Sequence, residues 1–408
     1  MNYSRSIFLF VFIIFSIHSK AQDRDISYMT SGGAIHPLQA NMDIRHYTLA
    51  LDVDIENESI DGNVTIEVLL TKPTDSLLFD LVHLLKVKKV LVNGKPTAFF
   101  QKKDYIYITD TKTFKAGKQS IRIDYGGKPP VAIKPPWDGG FTWTTDKSGT
   151  PWVAINCQGE GGKVYFPCKD HPSDEPNEGV DLFVTVPEGL KVASFGVLQS
   201  ETKKANNKTE FHWKTNYTIS NYCVVFNIAN YHVAKRNFTT IENNVVPMVF
   251  YVLEEDKEHA NAVLDIRTRD THILEKYLGE YPWINDKIGI AQVPNPGMEH
   301  QTMVTFGDSF VFKKIHGEPY SANLFHEFGH EWFANKVTNS DWAHMWIQEG
   351  IDTYIESFFF KEVCGEKAYD SIFNTFKYRI QNEQALVLGA LVTEADTYTS
   401  DLYFKGAF

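Results

Sequence analysis

The stretch HEFGHEWF, residues 326–333, sets His326 and His330 four positions apart, with Glu327 directly after the first. The surrounding SANLFHEFGHEWFANKV reads as helix, opened by Pro319 and Ser321 and broken near Asn339. Residues four apart on a helix share one face, with Cβ atoms about 5–6 Å apart, so both imidazoles can reach one ion. Glu327 is turned off that face, a poor ligand but well placed to reach solvent beside the ion. The pattern also arises by chance, and two core histidines that merely hydrogen-bond are the alternative. A third ligand decides between them. An 18-residue spacer separates His330 from Glu349, which lies in MWIQEGIDTYIES, a second helical pattern with Met345, Ile347 and Tyr354 apolar. Two antiparallel helices joined by a turn would bring Glu349 opposite the histidines. Two histidines and a glutamate, with the fourth position open, make a catalytic rather than a structural Zn2+ site, one ion per chain. Asp352 and Glu356 could orient a ligand imidazole, but solvent-facing helix acids are the commoner case. Trp332, Phe333, Trp342 and Trp346 read as core packing.

Upstream the periodicity changes. Tyr47, Leu49, Leu51, Val53 and Ile55 alternate, as do Val64, Ile66, Val68 and Leu70, across a turn containing Asp61-Gly62. VLVNGKP carries Asn93-Gly94, a hairpin signal. IRIDY, DLFVTV and YCVVFNIANYHV continue the strand pattern, so residues 22–235 read as an all-β domain. One irregular, Gly-, Pro- and Trp-rich stretch, from PPWDGGFTW to FPCKDHPSDEP, is expected to line a site. After VPMVFYVL, the segment DKEHANAVLDIRTRDTHILEKYLGEY is a long amphipathic helix. Helical signals then dominate residues 236–408, apart from IGIAQV and MVTF.

A chain of 408 residues exceeds one ordinary core, consistent with two domains. Its net charge of −11 and its lack of Lys/Arg runs argue against a nucleic-acid partner. Residues 1–21 read as a signal peptide: a basic MNYSR, the apolar SIFLFVFIIFSI, and cleavage near Ala21. The mature chain is then exported, periplasmic or secreted, with no membrane span. Four cysteines, Cys157, Cys168, Cys223 and Cys364, are too few for a disulfide framework. Free thiols are the favoured reading, with a Cys157–Cys168 bridge as the alternative. The chain stops in an apolar DLYFKGAF, so the second domain reads as incomplete. Oligomeric state is left open.

The segment HEFGHEWFANKVTNSDWAHMWIQEG resembles the zinc segment of the gluzincin aminopeptidases, the family of aminopeptidase N and leukotriene-epoxide hydrolase. The resemblance implies a multidomain fold: an all-β domain with a saddle-like sheet, then a thermolysin-like α+β, mainly helical zinc peptidase domain. It implies a zinc-dependent aminopeptidase acting on peptides with a free N-terminus. His326, His330 and Glu349 would bind the metal and Glu327 would act as general base. The family's Gly-x-Met-Glu-Asn strand is matched by Gly297-Met298-Glu299-His300, so Glu299 inherits the contact to the substrate amine, with Gly297 and Met298 beside it. Pro296 and His300 depart from the usual Gly and Asn. Tyr403-Phe404-Lys405-Gly406 is similar to the stretch whose Tyr binds the oxyanion, and Tyr398 falls where some relatives carry a second Tyr. Gln158, ahead of FPCKD, is the counterpart of a residue that helps hold the amine. Two other readings remain: a zinc endopeptidase, and an inactive fragment that only binds peptides.

Overall fold

The computed structural model describes residues 30–307, 309–389, 391–397 and 400–408. The signal-peptide reading of residues 1–21, and Tyr398, lie outside the described residues. Strands Met42–Asp54 and Ser59–Leu70 pair antiparallel along their length. They lie centrally in an eight-stranded sheet that also holds Val180–Pro187, Lys208–Thr215 and Gly117–Gly127. The alternating residues named above face inward: Tyr47, Leu49, Leu51, Val64, Ile66 and Val68 are all buried. Asp61-Gly62 lies within a strand, not at the turn. The chain reverses earlier, where Glu58 takes a φ of 52°. Gly62 is placed by close approach, because a Cβ there would strike the Ala50 carbonyl. Asn93-Gly94 does turn the chain, with φ of 51° and 77°, between paired strands.

The Gly- and Trp-rich stretch is more regular than its composition implies. Gly140–Thr145 and Pro151–Asn156 form a hairpin in a four-stranded sheet with Lys191–Ser194 and Phe226–Ala229. The run YCVVFNIANYHV is not one strand. It changes sheets at Asn230, and Tyr231–Thr239 pairs with Val245–Leu253 in a second, five-stranded sheet. That strand crosses the expected boundary at residue 235.

The five-stranded sheet is mixed. Val245–Leu253 and Ile288–Gln292 are parallel neighbours, joined over the crossover by α1, Ala260–Leu278. Val263, Ile266, Ile273 and Leu274 of α1 are buried against the sheet. Gly297–Met298 is the sheet's edge strand. α2 (Ala322–Gly329), α3 (Glu349–Cys364), α4 (Glu366–Arg379) and α5 (Ser400–Ala407) follow. The all-β domain is thus succeeded by an α+β, mainly helical domain. The two meet through buried polar contacts: Lys287 Nζ donates to the Ser194 carbonyl at 2.8 Å, and Thr215 Oγ1 to Asp286 at 2.7 Å. All four cysteines are free thiols. No helix among the described residues is long and apolar enough to cross a membrane.

Candidate metal centre and amine pocket

α2 begins at Ser321, whose side chain accepts from Leu324 N at 3.1 Å. It is shorter than the expected 321–337 helix, ending at Gly329 with His330 as its C-cap. Tertiary bonds win there. Glu331, fully buried, accepts from Trp283 Nε1 at 2.7 Å and Thr302 N at 2.8 Å. Asn335 turns back to donate to the Glu299 carbonyl at 2.7 Å. His330 keeps αR backbone angles, so the one-turn relation to His326 survives.

Their Nε2 atoms lie 3.2 Å apart. Glu349, at the start of α3, brings Oε2 to 3.5 Å from His326 Nε2 and 3.6 Å from His330 Nε2. Ligands about 2.0–2.1 Å from a tetrahedral zinc stand about 3.3 Å apart, so these three atoms fit one ion. Glu349 Oε2 is buried with no hydrogen-bond partner, as a ligand oxygen would be. The opposite ring nitrogens are fixed from behind. His330 Nδ1 lies 3.0 Å from the Phe333 carbonyl, and His326 Nδ1 lies 3.0 Å from Glu356 Oε1 and 2.8 Å from Asp352 Oδ2. Those contacts protonate Nδ1 and leave Nε2 free to ligate. Asp352 also lies within ligand distance of both histidines. It meets the outer nitrogen of His326, however, which assigns it to the supporting shell. Asp352 is therefore wholly buried behind the centre, against its expected place as a solvent-facing helix acid.

The imidazoles and the carboxylates around them shift one another. Burial opposes a charge on His330, yet Asp352 and Glu349 outweigh it and lift its pKa to about 9. Burial likewise opposes ionisation of Glu349, but the two histidines hold it below the ordinary value. Burial pushes Glu327 up to about 8, aided by Glu299. Burial raises Glu299 as well. Glu160 and Glu394 are two more buried acids nearby, lifted by burial to about 7 and about 8.

All nine candidate residues line one cavity of about 270 Å³: Gln158, Gly297, Met298, Glu299, His326, Glu327, His330, Glu349 and Tyr403. Glu299, Glu327 and His330 offer atoms within 4.8 Å of one another. Gln158 Nε2 donates to Glu299 Oε1 at 2.7 Å, and Tyr222 OH donates to the same oxygen at 2.9 Å. Tyr222 carried no signal in the sequence, since nothing local ties it to a residue 77 positions away. Gly297 has a φ of 124° and abuts the Thr305 carbonyl, which excludes a side chain there. His300 turns inward, its Nδ1 3.5 Å from Thr305 Oγ1, and burial drops its pKa to about 3, so it is neutral. Tyr403 rides on α5, and Pro136, Trp137, Pro296 and Asn323 complete the lining.

Fold and site together define a two-domain metallopeptidase architecture. A family model for the Peptidase M1 N-terminal domain matches residues 44–223, and the Peptidase family M1 domain matches residues 264–407. The chain belongs to peptidase family M1. It is similar to leucine aminopeptidase 2-1 of Scheffersomyces stipitis, 25% identical over 78% of this chain and 47% of that protein. It is also similar to leucyl aminopeptidase of Saccharolobus solfataricus, 23% identical over 76% of this chain and 38% of that protein. The chain thus spans about half the length, or less, of these curated relatives. An M1 zinc metallopeptidase from Deinococcus radiodurans shares the fold, with a TM-score of 0.73 at 20% identity over 90% of this chain and 81% of that one. A variant of that protein has been solved with a Tyr-Ser-Ala substrate bound.

Proposed function

We propose that the chain is a zinc-dependent aminopeptidase that releases the N-terminal residue of peptides. The observation that carries this reading is Glu299. Its buried carboxylate faces the same cavity as the metal triad, with Oε1 occupied by two donors. No lysine or arginine among the described residues lines that cavity, so a substrate ammonium is the fitting counter-charge. One Zn2+ held by His326, His330 and Glu349 would supply Lewis acidity to the scissile carbonyl and the attacking water. Glu327 accepts the proton of that water and returns it to the leaving nitrogen. Tyr403 donates its hydroxyl hydrogen bond to the oxyanion as it forms. Gln158 and Tyr222 hold Glu299 on the ammonium, and the edge strand at Gly297 and Met298 offers backbone groups along which the peptide extends. The relatives named as aminopeptidases support the same reading.

A peptide mixture digested with and without a chelator tests it. The expected products are peptides shortened from the free N-terminus, with acetylated peptides intact and no cleavage under chelation. Acetylated peptides cut equally fast would favour an endopeptidase, and no cleavage at all would favour a peptide-binding fragment. Glu327→Gln should retain about one zinc per chain and lose about a hundredfold or more in kcat. Retained turnover would remove it as the base. We also propose export, from the basic and apolar pattern at residues 1–21. Native protein that keeps residue 1 would overturn that.

A further inference from the structure

Four lining residues have no part in the roles above, and two of them, Pro136 and Trp137, come from one loop of the β domain. Pro136 and Trp137 face the cavity, yet Trp137 remains 53% exposed, a large apolar surface left open at a polar site. They belong to the loop that enters the strand Gly140–Thr145, whose partner Pro151–Asn156 leads out to Gln158. The register pairs Gly140 with Asn156. Trp137, just before Gly140, and Gln158, just after Asn156, therefore leave the same end of that hairpin, and both line the cavity. The loop is braced. Ile133 N donates to the Asp138 carbonyl at 3.1 Å, and Asp138 N to the Lys134 carbonyl at 2.9 Å. Gly139 N donates to Glu160 Oε1 at 2.7 Å, and Glu160 is 1% exposed, two residues beyond Gln158. A Cβ on Gly139 would strike the Glu160 carboxylate and the Asn156 carbonyl, so the loop rests directly on the Gln158 turn.

We propose that Trp137, backed by Pro136, is the wall against which the side chain of the substrate's first residue packs, and that it favours large apolar first residues over small ones. The inference rests on the aminopeptidase reading. With the ammonium at Glu299, the first α-carbon is one bond away, beside Gln158. The scissile carbonyl must then point to His326, His330 and Glu349, and the rest of the peptide leaves beyond them. The wall next to Gln158 is the one the first side chain meets. A rigid indole offers broad contact area at little entropic cost. Glu160 is a positioning residue, since it acts through the loop backbone.

The test compares kcat/KM for leucyl and alanyl amides of one chromophore in wild type, Trp137→Ala, Trp137→Phe and Ile133→Ala. The leucyl-to-alanyl ratio is expected to fall about tenfold in Trp137→Ala, the scale on which apolar pockets discriminate. Trp137→Phe should recover most of it. Ile133→Ala, on the same loop but outside the cavity lining, should leave the ratio alone. Zinc content and thermal midpoint report whether each variant is folded. A ratio unchanged in folded Trp137→Ala overturns the inference and leaves the aminopeptidase reading intact. If wild type hydrolyses neither amide, that reading fails instead. Equilibrium binding of leucinamide against glycinamide, in wild type and Trp137→Ala, then decides the inference by the same ratio.

Discussion

Glutamates 299, 327, 331 and 349 share one residue type and four environments. Glu349 keeps an unpartnered buried oxygen toward two imidazoles, and Glu299 has one oxygen held by Gln158 and Tyr222. Glu331, four residues past Glu327, is saturated by Trp283, Thr302 and Asn335 and anchors the backbone instead. Its burial and donors, not its position in the motif, make it structural. The Tyr222 hydroxyl predicts a selective effect. Tyr222→Phe removes one donor to a charged acceptor, a contact worth about 1.5–3 kcal/mol. Steady-state kinetics should show KM for free-amine substrates rising about tenfold, with zinc content unchanged. An unchanged KM would mean that Gln158 alone positions Glu299.

At the scale of elements, short pieces at close approach do the positioning. α2 supplies only eight residues, and α3 lies so near that a Cβ on Gly329 would meet Asp352. α3 and α5 touch through glycines: a Cβ on Gly406 would lie 2.9 Å from the Gly350 Cα. The Tyr-x-Lys-Gly match thus has a mechanical reason, because Gly406 lets α5 come close enough for Tyr403 to line the cavity. Gly406→Ala is expected to push α5 outward and lower kcat/KM about tenfold or more, while the metal triad on α2 and α3 keeps its zinc. Activity equal to wild type would show that Tyr403 tolerates the shift. Helix existence was legible from periodicity, but the end of α2 was not. It is set by the burial of Glu331 and Asn335 among segments that no window around residue 330 contains.

For the whole molecule, the surroundings of Glu299 are built across the two domains: Gln158 and Tyr222 come from the β domain, Glu299 from the α+β one. Lys287 secures that junction, fully buried against the Ser194 and Gly196 carbonyls. Burial depresses its pKa, more than the neighbouring Asp286 and Glu331 restore it. The unfolded chain therefore binds the proton that the folded chain gives up, between the depressed value and the ordinary 10.5. Stability contributed by this group rises with pH across that window. Urea unfolding of wild type and Lys287→Met, at about pH 7 and about pH 8.5, should show the gap between them shifting toward wild type at the higher pH. A constant gap would mean that Lys287 titrates alike in both states.

By itself the sequence singled out His326, His330 and Glu349 as candidate ligands, Glu327 as the candidate base, and the passage from strands to helices. These rest on short-range regularities: one helical turn between His326 and His330, alternation in Met42–Asp54, the 3.6-residue period of α1. Only the tertiary structure decided that Asp352 and Glu356 back His326, that Tyr222 shares Glu299 with Gln158, and that Trp137 lines the same cavity as Gln158. It also placed the change of sheet at Asn230. Each of those depends on contacts between chain segments far apart in sequence, whose burial and hydrogen-bond partners exist only once the two domains have closed on each other.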